Sequence, residues 1–160
     1  MLPTYFETKI RKRGVALLAG AFALLSSTTA FAEPAKLDLS AYRGKVVYVD
    51  FWASWCGPCK LSFPYMASLN RQYAGRDFAL VTINLDRARP QAEAFLRKMG
   101  SGLPVIYDSN GAIAAQYRVS DMPTAMLIDR TGHVRFVHKG FHPNQTAAYR
   151  QHIDQLLSEH

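Results

Sequence analysis

The chain has 160 residues, of which 49% are hydrophobic and 19% charged, and its formal net charge is +7. A length of this order fits one domain that is large enough to bury a real core. The basic residues are scattered and form no stripe interleaved with aromatic residues, so the composition argues against nucleic-acid binding.

Residues 1–32 are typical of a secretory signal. A basic segment at residues 9–13 precedes an apolar core of eleven residues, 15–25, and residues 30–32 read Ala-Phe-Ala, an A-x-A cleavage site. The apolar core is shorter than the ~20 residues that a spanning helix needs, although an uncleaved inner-membrane anchor stays open as the alternative. We therefore expect residues 33–160 to be the folded domain, exported to the periplasm.

The exported part is less basic than the whole chain and contains both cysteines. Without residues 1–32, the chain keeps 15 Lys and Arg against 11 Asp and Glu, a net charge of +4. An oxidising compartment normally uses cysteines as paired structural staples. Here Cys56 and Cys59 are the only two, and they flank Gly57-Pro58 in a short motif. We therefore interpret these two thiols as reactive and not as a structural disulfide.

A buried strand and a helix are predicted on either side of this motif. Residues 45–52 are almost continuously apolar, as in a strand that is buried on both faces. A helix is expected next, because Pro58 suits a first helical turn and apolar residues recur at helical spacing as far as Tyr73. Cys56 would then lie at the N-terminus of this helix.

This position predicts different roles for the two thiols. Unpaired backbone N–H groups and the positive end of the helix dipole favour a thiolate, so we expect the pKa of Cys56 to lie below the ordinary ~8.5. Cys56 is therefore the predicted nucleophile. Cys59, one turn further on and less exposed, is predicted to attack the mixed disulfide and release the reduced partner.

Apart from Lys45 at its start, Asp50 is the one charged residue in the predicted buried strand. An isolated buried carboxylate is costly unless it is protonated or paired, and burial should raise its pKa. We predict that Asp50 takes the proton of Cys59, directly or through a water. The alternative is an ordinary carboxylate at a strand end that reaches solvent or a backbone N–H.

Two other uses of the cysteines are disfavoured. Structural zinc needs four ligands, and the other soft donors are distant histidines, so we expect no metal and no cofactor. These histidines are His133, His138, His142, His152 and His160. A purely structural disulfide would close a two-residue loop, which constrains the unfolded chain little.

The rest of the chain predicts an alternation of strands and helices. Strands are expected at residues 78–85, 103–107, 125–128 and 134–137, and helices at residues 90–99, 112–117 and from about 145 onward. Gly100 should end the second helix, and Asn144 should cap the last one.

Residues 49–60 resemble the thioredoxin active-site segment nearly residue for residue, and Met122-Pro123-Thr124 resembles the cis-proline loop of that superfamily. The resemblance implies a thioredoxin-like α/β fold, with a central mixed sheet, helices on both faces and the motif at the end of a central strand. It also implies that the cis-proline loop faces the cysteines and pairs with the substrate backbone. The residues expected to contact substrate are Trp55, Gly57, Pro58, Met122, Pro123 and Thr124.

From residue 44 onward the chain is similar to the exported TlpA/ResA group. The helix and strand predicted between residues 90 and 107 match an insert of that group, which lies before the cis-proline loop. Many members have Glu where this chain has Ser62, and Asn where it has Asp50. Asp50 could therefore take over the part played elsewhere by the missing glutamate.

Together these features predict a periplasmic thiol-disulfide oxidoreductase, and specifically a protein-disulfide reductase that acts on envelope proteins, with cytochrome c maturation as one pathway. The expected partners are disulfide-containing proteins and, by analogy, a membrane thiol reductase that donates electrons. We expect a monomer. The alternatives are a net thiol oxidant, a non-catalytic module that binds haem or apo-cytochrome, and a thiol peroxidase.

Overall fold

The computed structural model describes residues 37–159. The signal segment predicted for residues 1–32 lies outside the described residues. No helix within residues 37–159 is both long enough and apolar enough to cross a bilayer.

The described part of the chain forms five strands and four α-helices. The strands are β1 (Val46–Trp52), β2 (Phe78–Asn84), β3 (Val105–Tyr107), β4 (Thr124–Ile128) and β5 (Val134–Lys139). The helices are α1 (Cys59–Gln72), α2 (Arg89–Met99), α3 (Ala112–Gln116) and α4 (Thr146–Ser158). Short 3-10 turns occupy Ser40–Tyr42 and Pro143–Gln145.

The strands form one mixed sheet in the order β3-β2-β1-β4-β5. β1 runs parallel to β2 and antiparallel to β4, while β3 is parallel to β2 and β5 antiparallel to β4. All seven residues of β1 are buried, as its apolar run predicts. The predicted central mixed sheet is confirmed, with β1 in its middle.

Alternate residues of β1 point to two cores, one on each face of the sheet. Tyr48 and Trp52 belong to a core that also contains buried residues of α1, α2 and α4. Val49 and Phe51 belong to a second core, which includes residues of α3. The helices therefore cover both faces, as expected of a thioredoxin-like fold.

Most predicted element boundaries agree with the structure to within two residues, but the cap of the last helix does not. Gly100 ends α2 in the left-handed conformation, with φ of 59°, as predicted. Asn144 was expected to cap α4, which is wrong: it lies inside the 3-10 turn, and α4 begins at Thr146 without a side-chain cap. The chain already turns before the helix because Gln145 donates its backbone N–H to the His142 carbonyl at 2.9 Å.

Candidate active site

The two cysteines lie where β1 ends and α1 begins. After Trp52 the chain makes a tight turn, in which the Cys56 N–H donates to the Ala53 carbonyl at 3.1 Å. Pro58 already has helical backbone angles, and the first residue of α1 is Cys59. The motif is thus at the carboxyl end of the central strand, as the sequence predicts.

Cys56 and Cys59 are joined in a disulfide, with a Cα–Cα distance of 5.3 Å. The Cys56 Sγ also accepts a hydrogen bond from the Cys59 backbone N–H, at 3.3 Å. Cys56 is 5% exposed and Cys59 is fully buried, which agrees with the predicted difference in exposure. A free N–H at the start of α1 therefore points at the sulfur that precedes the helix.

Exposed residues form a rim next to the disulfide along the chain. Trp55, directly before Cys56, is 68% exposed, and Leu61 in the first turn of α1 is 59% exposed. Gly57 and Pro58 are exposed as well. Trp55 and Leu61 therefore leave apolar surface in water on both sides of the cysteine motif along the chain.

Asp50 is buried inside β1, on the face of the sheet that carries the cysteines. It is 1% exposed, and its Oδ2 atom has no hydrogen-bond partner among residues 37–159. Burial raises the pKa of the Asp50 carboxyl well above its ordinary value. The expected direction of the pKa shift is confirmed, and its cause is desolvation.

Met122 and Pro123 are joined by a cis peptide bond, as the resemblance implies. Thr124, the first residue of β4, pairs with Phe51 near the end of β1, so this loop reaches the same edge of the sheet as the cysteines. Met122 packs against the core that contains both cysteines. The Pro123 carbonyl is occupied by the Gly140 N–H at 2.8 Å, but the backbone groups of Met122 have no backbone partner in the described part of the chain.

A hydrogen-bond network centred on Asp86 holds the turn before Cys56. Asp86 follows β2 and is 2% exposed. Its Oδ2 accepts from the Ser54 backbone N–H at 2.9 Å and from Asn84 Nδ2 at 2.8 Å, and its Oδ1 accepts from the Ser54 hydroxyl at 2.9 Å. Sequence reasoning missed both Asp86 and Ser54. The available signal was that parallel strands β1 and β2 end at the same edge of the sheet.

Ser62, which stands where many TlpA/ResA proteins have Glu, is buried in α1. It is 1% exposed, and its hydroxyl donates to the Cys59 carbonyl at 3.0 Å. This bond is local to the helix, since the hydroxyl satisfies a carbonyl three residues back. Ser62 therefore supplies no carboxylate near Cys59, whereas Asp50 of β1 is a buried carboxylate on the face of the sheet that carries the cysteines.

A family model described as Redoxin matches residues 19–153 of the chain. Among curated proteins, the thiol-disulfide oxidoreductase ResA of Bacillus subtilis (strain 168) is 33% identical over 99 residues, which are 62% of this chain and 55% of that protein. The chain therefore spans little more than half the length of this relative.

Solved structures resemble the described fold over more of their length. A Chlorobium tepidum crystal structure, provisionally named thiol:disulfide interchange protein DsbE, has a TM-score of 0.73 and 42% identity, covering 75% of this chain and 85% of that one. StoA from Bacillus subtilis has a TM-score of 0.61 and 25% identity, covering 68% of this chain and 82% of that one. Both have the thioredoxin-like fold in common with this chain.

Proposed function

The chain belongs to the Redoxin family of the thioredoxin superfamily, and on this premise we propose that it is a periplasmic protein-disulfide reductase. The observation that carries the proposal is the Cys56–Cys59 disulfide at the start of α1, with Cys56 Sγ facing the Cys59 N–H at 3.3 Å. A sulfur at a helix N-terminus is favoured as a thiolate, and the thiolate is the form that attacks disulfides.

In the proposed reaction, the reduced protein meets a substrate disulfide. The Cys56 thiolate attacks one substrate sulfur, forming a mixed disulfide and expelling the other sulfur as a thiolate. Cys59 then attacks Cys56 Sγ, which restores the internal disulfide and releases the second substrate sulfur. Two electrons pass from the Cys56/Cys59 dithiol to the substrate, and the disulfide form of the protein is the product.

Asp50 is the proposed base for the second step. Cys59 is fully buried, and a thiol in such surroundings needs a local acceptor for its proton before it can attack. The Asp50 carboxyl lies on the same face of the sheet and has a raised pKa. A raised pKa makes the carboxylate a stronger base near neutral pH, which suits it to take this proton.

Substrate recognition is assigned to the rim and the cis-proline loop. Trp55, Gly57 and Pro58 offer an exposed surface beside the cysteines. The unpaired backbone groups of Met122 can accept and donate hydrogen bonds to an extended substrate segment, in the manner of an added strand. Pro123 and Thr124 hold that loop at the edge of the sheet, where β4 pairs with β1.

The wider setting is proposed from the predicted signal and from resemblance. Residues 1–32 would direct export to the periplasm, where a reductase needs an electron source, by analogy a membrane thiol reductase. We attribute α2 and β3 to a TlpA/ResA-type insert. That resemblance adds apo-cytochrome c to the proposed envelope substrates, although Ser62 replaces the glutamate that many of those proteins have.

An insulin-reduction assay tests the proposed reaction. The purified protein with dithiothreitol should accelerate insulin precipitation, and Cys56→Ser should abolish the acceleration. Cys59→Ser, reduced and then freed of dithiothreitol, should instead accumulate a mixed disulfide with insulin, because the resolving thiol is gone. A wild-type protein that does not exceed the dithiothreitol background would contradict catalysis and favour a binding module.

A further inference from the structure

We infer that Asp86 is a positioning residue for the thiol of Cys56: by clamping the turn that ends at Cys56, its carboxylate sets how acidic that thiol is. The inference rests on the proposed function, since the acidity of Cys56 matters only if this dithiol carries out thiol-disulfide exchange. Its evidence is a set of hydrogen bonds made by a carboxylate that lies outside the cysteine motif.

Both oxygens of Asp86 are committed to this clamp and its support. Oδ2 accepts a hydrogen bond from the Ser54 backbone N–H, and Oδ1 accepts one from the Ser54 hydroxyl, each at 2.9 Å. Asn84 holds the carboxylate from the other side, because its Nδ2 donates to Oδ2 at 2.8 Å and its Oδ1 accepts the Asp86 N–H at 3.1 Å. Asn84 is fully buried within β2, so the clamp is anchored in the sheet.

The clamped residue lies inside the turn that delivers the nucleophile. Ser54 is the second residue of the turn closed by the hydrogen bond from the Cys56 N–H to the Ala53 carbonyl. A second tie joins the same two chain segments, since the Leu85 N–H donates to the Trp52 carbonyl at 2.9 Å. The path of the chain from β1 to Cys56 is therefore fixed against the end of β2.

This path decides whether the sulfur stays against the helix. The Cys56 Sγ receives the Cys59 N–H at 3.3 Å, and a hydrogen bond to a thiolate lowers the pKa of the thiol only while donor and sulfur remain aligned. Without the disulfide, the turn is what keeps Cys56 in place. A looser turn would weaken this alignment and raise the pKa of the Cys56 thiol.

The Asp86 charge has the opposite effect, and a pair of variants separates the two. A nearby negative charge disfavours a thiolate, so removing it lowers the pKa of the thiol. Asp86→Asn and Asp86→Ala both remove the charge. Asparagine can still accept from the Ser54 and Asn84 N–H groups with its oxygen and donate to the Ser54 hydroxyl with its amide, whereas alanine makes none of these bonds.

The test is the pH dependence of iodoacetamide alkylation of Cys56, measured in the Cys59→Ser background so that only one thiol reacts. We expect the pKa of Cys56 to be about 0.5–1 unit higher in Asp86→Ala than in Asp86→Asn, a three- to tenfold lower alkylation rate below both pKa values. Equal pKa values in the two variants would overturn the inference and leave Asp86 a structural residue.

Asp108 provides the matched control for buried carboxylates. It is also 2% exposed and follows a strand, but its Oδ2 accepts the Ala114 N–H at 2.9 Å, away from the motif. Asp108→Ala should lower the melting temperature without moving the pKa of Cys56. If the pKa of Cys56 rose as much from Asp108→Asn to Asp108→Ala as it does from Asp86→Asn to Asp86→Ala, then general loosening, and not the clamp, would be what changes the thiol.

Two further arms keep the inference testable. If Asp86→Ala does not fold, the comparison moves to Ser54. Ser54→Ala removes one clamp bond and should raise the pKa of Cys56 relative to Ser54→Thr, which keeps the hydroxyl. Equal pKa values in these two variants would overturn the inference. Alkylation does not require turnover, so a wild-type protein without insulin reductase activity would contradict the proposed function while the comparison at Asp86 still stands.

Discussion

Asp50 makes the stability of this protein depend on pH in a predictable direction. Burial raises the pKa of its carboxyl well above the unfolded value of about 3.9. The folded state therefore holds a proton that the unfolded state has already lost, and stability falls as pH rises from the unfolded value toward the raised one. Each unit by which the pKa is raised corresponds to about 1.4 kcal/mol.

We predict that Asp50→Asn removes this dependence. The free energy of unfolding of the oxidised variant, relative to wild type, should increase between pH 5 and pH 8, because the wild type alone loses stability over that range. Urea unfolding at both pH values measures it. As a control, Asp77→Asn, at an exposed carboxylate, should change the free energy of unfolding little at either pH. If the free energies of unfolding of Asp50→Asn and wild type differed by the same amount at both pH values, a raised pKa of Asp50 would be contradicted.

The same substitution tests the proposed role of Asp50 in the reaction. Without a local base, resolution by Cys59 should slow by about tenfold or more near neutral pH. Stopped-flow absorbance measures this step when the reduced protein is mixed with an equimolar amount of dithiobis(nitrobenzoate). Attack by Cys56 releases the first thionitrobenzoate, and resolution by Cys59 releases the second. A rate that stays at the wild-type value from pH 6 to pH 9 would remove Asp50 from the mechanism.

Helix α2 is fixed to the active-site strand by three aromatic side chains. Trp52 at the end of β1 lies edge-on to Phe63 of α1, with ring centroids 4.9 Å apart. Phe95 of α2 completes the cluster, with its ring 5.0 Å from each of the other two. Trp52 is fully buried and Phe95 is 7% exposed, so the cluster joins the helix to the core beneath the cysteines.

Phe95→Ala should therefore destabilise the fold by about 3–4 kcal/mol, as expected for a large side chain removed from a packed core. Urea unfolding of the oxidised protein measures the loss. Leu96→Ala, at a partly buried neighbour on the same helix, should cost clearly less. Similar losses at both positions would show that α2 is held by its whole surface and not by the aromatic cluster.

At the scale of single elements, sequence patterns predict what is local. The periodic apolar residues of α2 and the glycine after Met99 define that helix correctly, because both signals act within a few residues. The predicted cap at Asn144 is wrong because the preference of asparagine for capping competes with the 3-10 turn at Pro143–Gln145, where backbone hydrogen bonds are already made. The position of the cysteine motif was equally predictable from the sequence, since its strand, turn and helix follow one another directly along the chain.

Contacts between distant segments were not predictable from these patterns. The clamp from Asp86 to Ser54 joins residues 32 positions apart, and it depends on the register of β1 against β2, which pairs Trp52 with Asn84. Both strands are nearly continuous buried runs, so neither has the alternation of apolar and polar residues that would fix their alignment. The cis bond at Pro123 was likewise expected from resemblance to a family, because a proline before a strand is compatible with either isomer.

Across the whole molecule, the fold brings three separate segments to one edge of the sheet. The end of β1 carries the cysteines, the end of β2 carries Asp86, and the start of β4 carries the cis-proline loop. The central position of β1 allows this, because both neighbouring strands place their loops beside its carboxyl end. The proposed reaction at this edge requires the Cys56/Cys59 couple to be redox-active.

A glutathione-buffered redox titration of the Cys56/Cys59 couple tests this requirement most directly. Gly-Pro between the cysteines resembles the reducing thioredoxins, so we predict a reversible two-electron transition near about −270 mV. A midpoint near about −120 mV would make the protein a net oxidant, and a disulfide that does not exchange with glutathione over this range would contradict a role in thiol-disulfide exchange altogether.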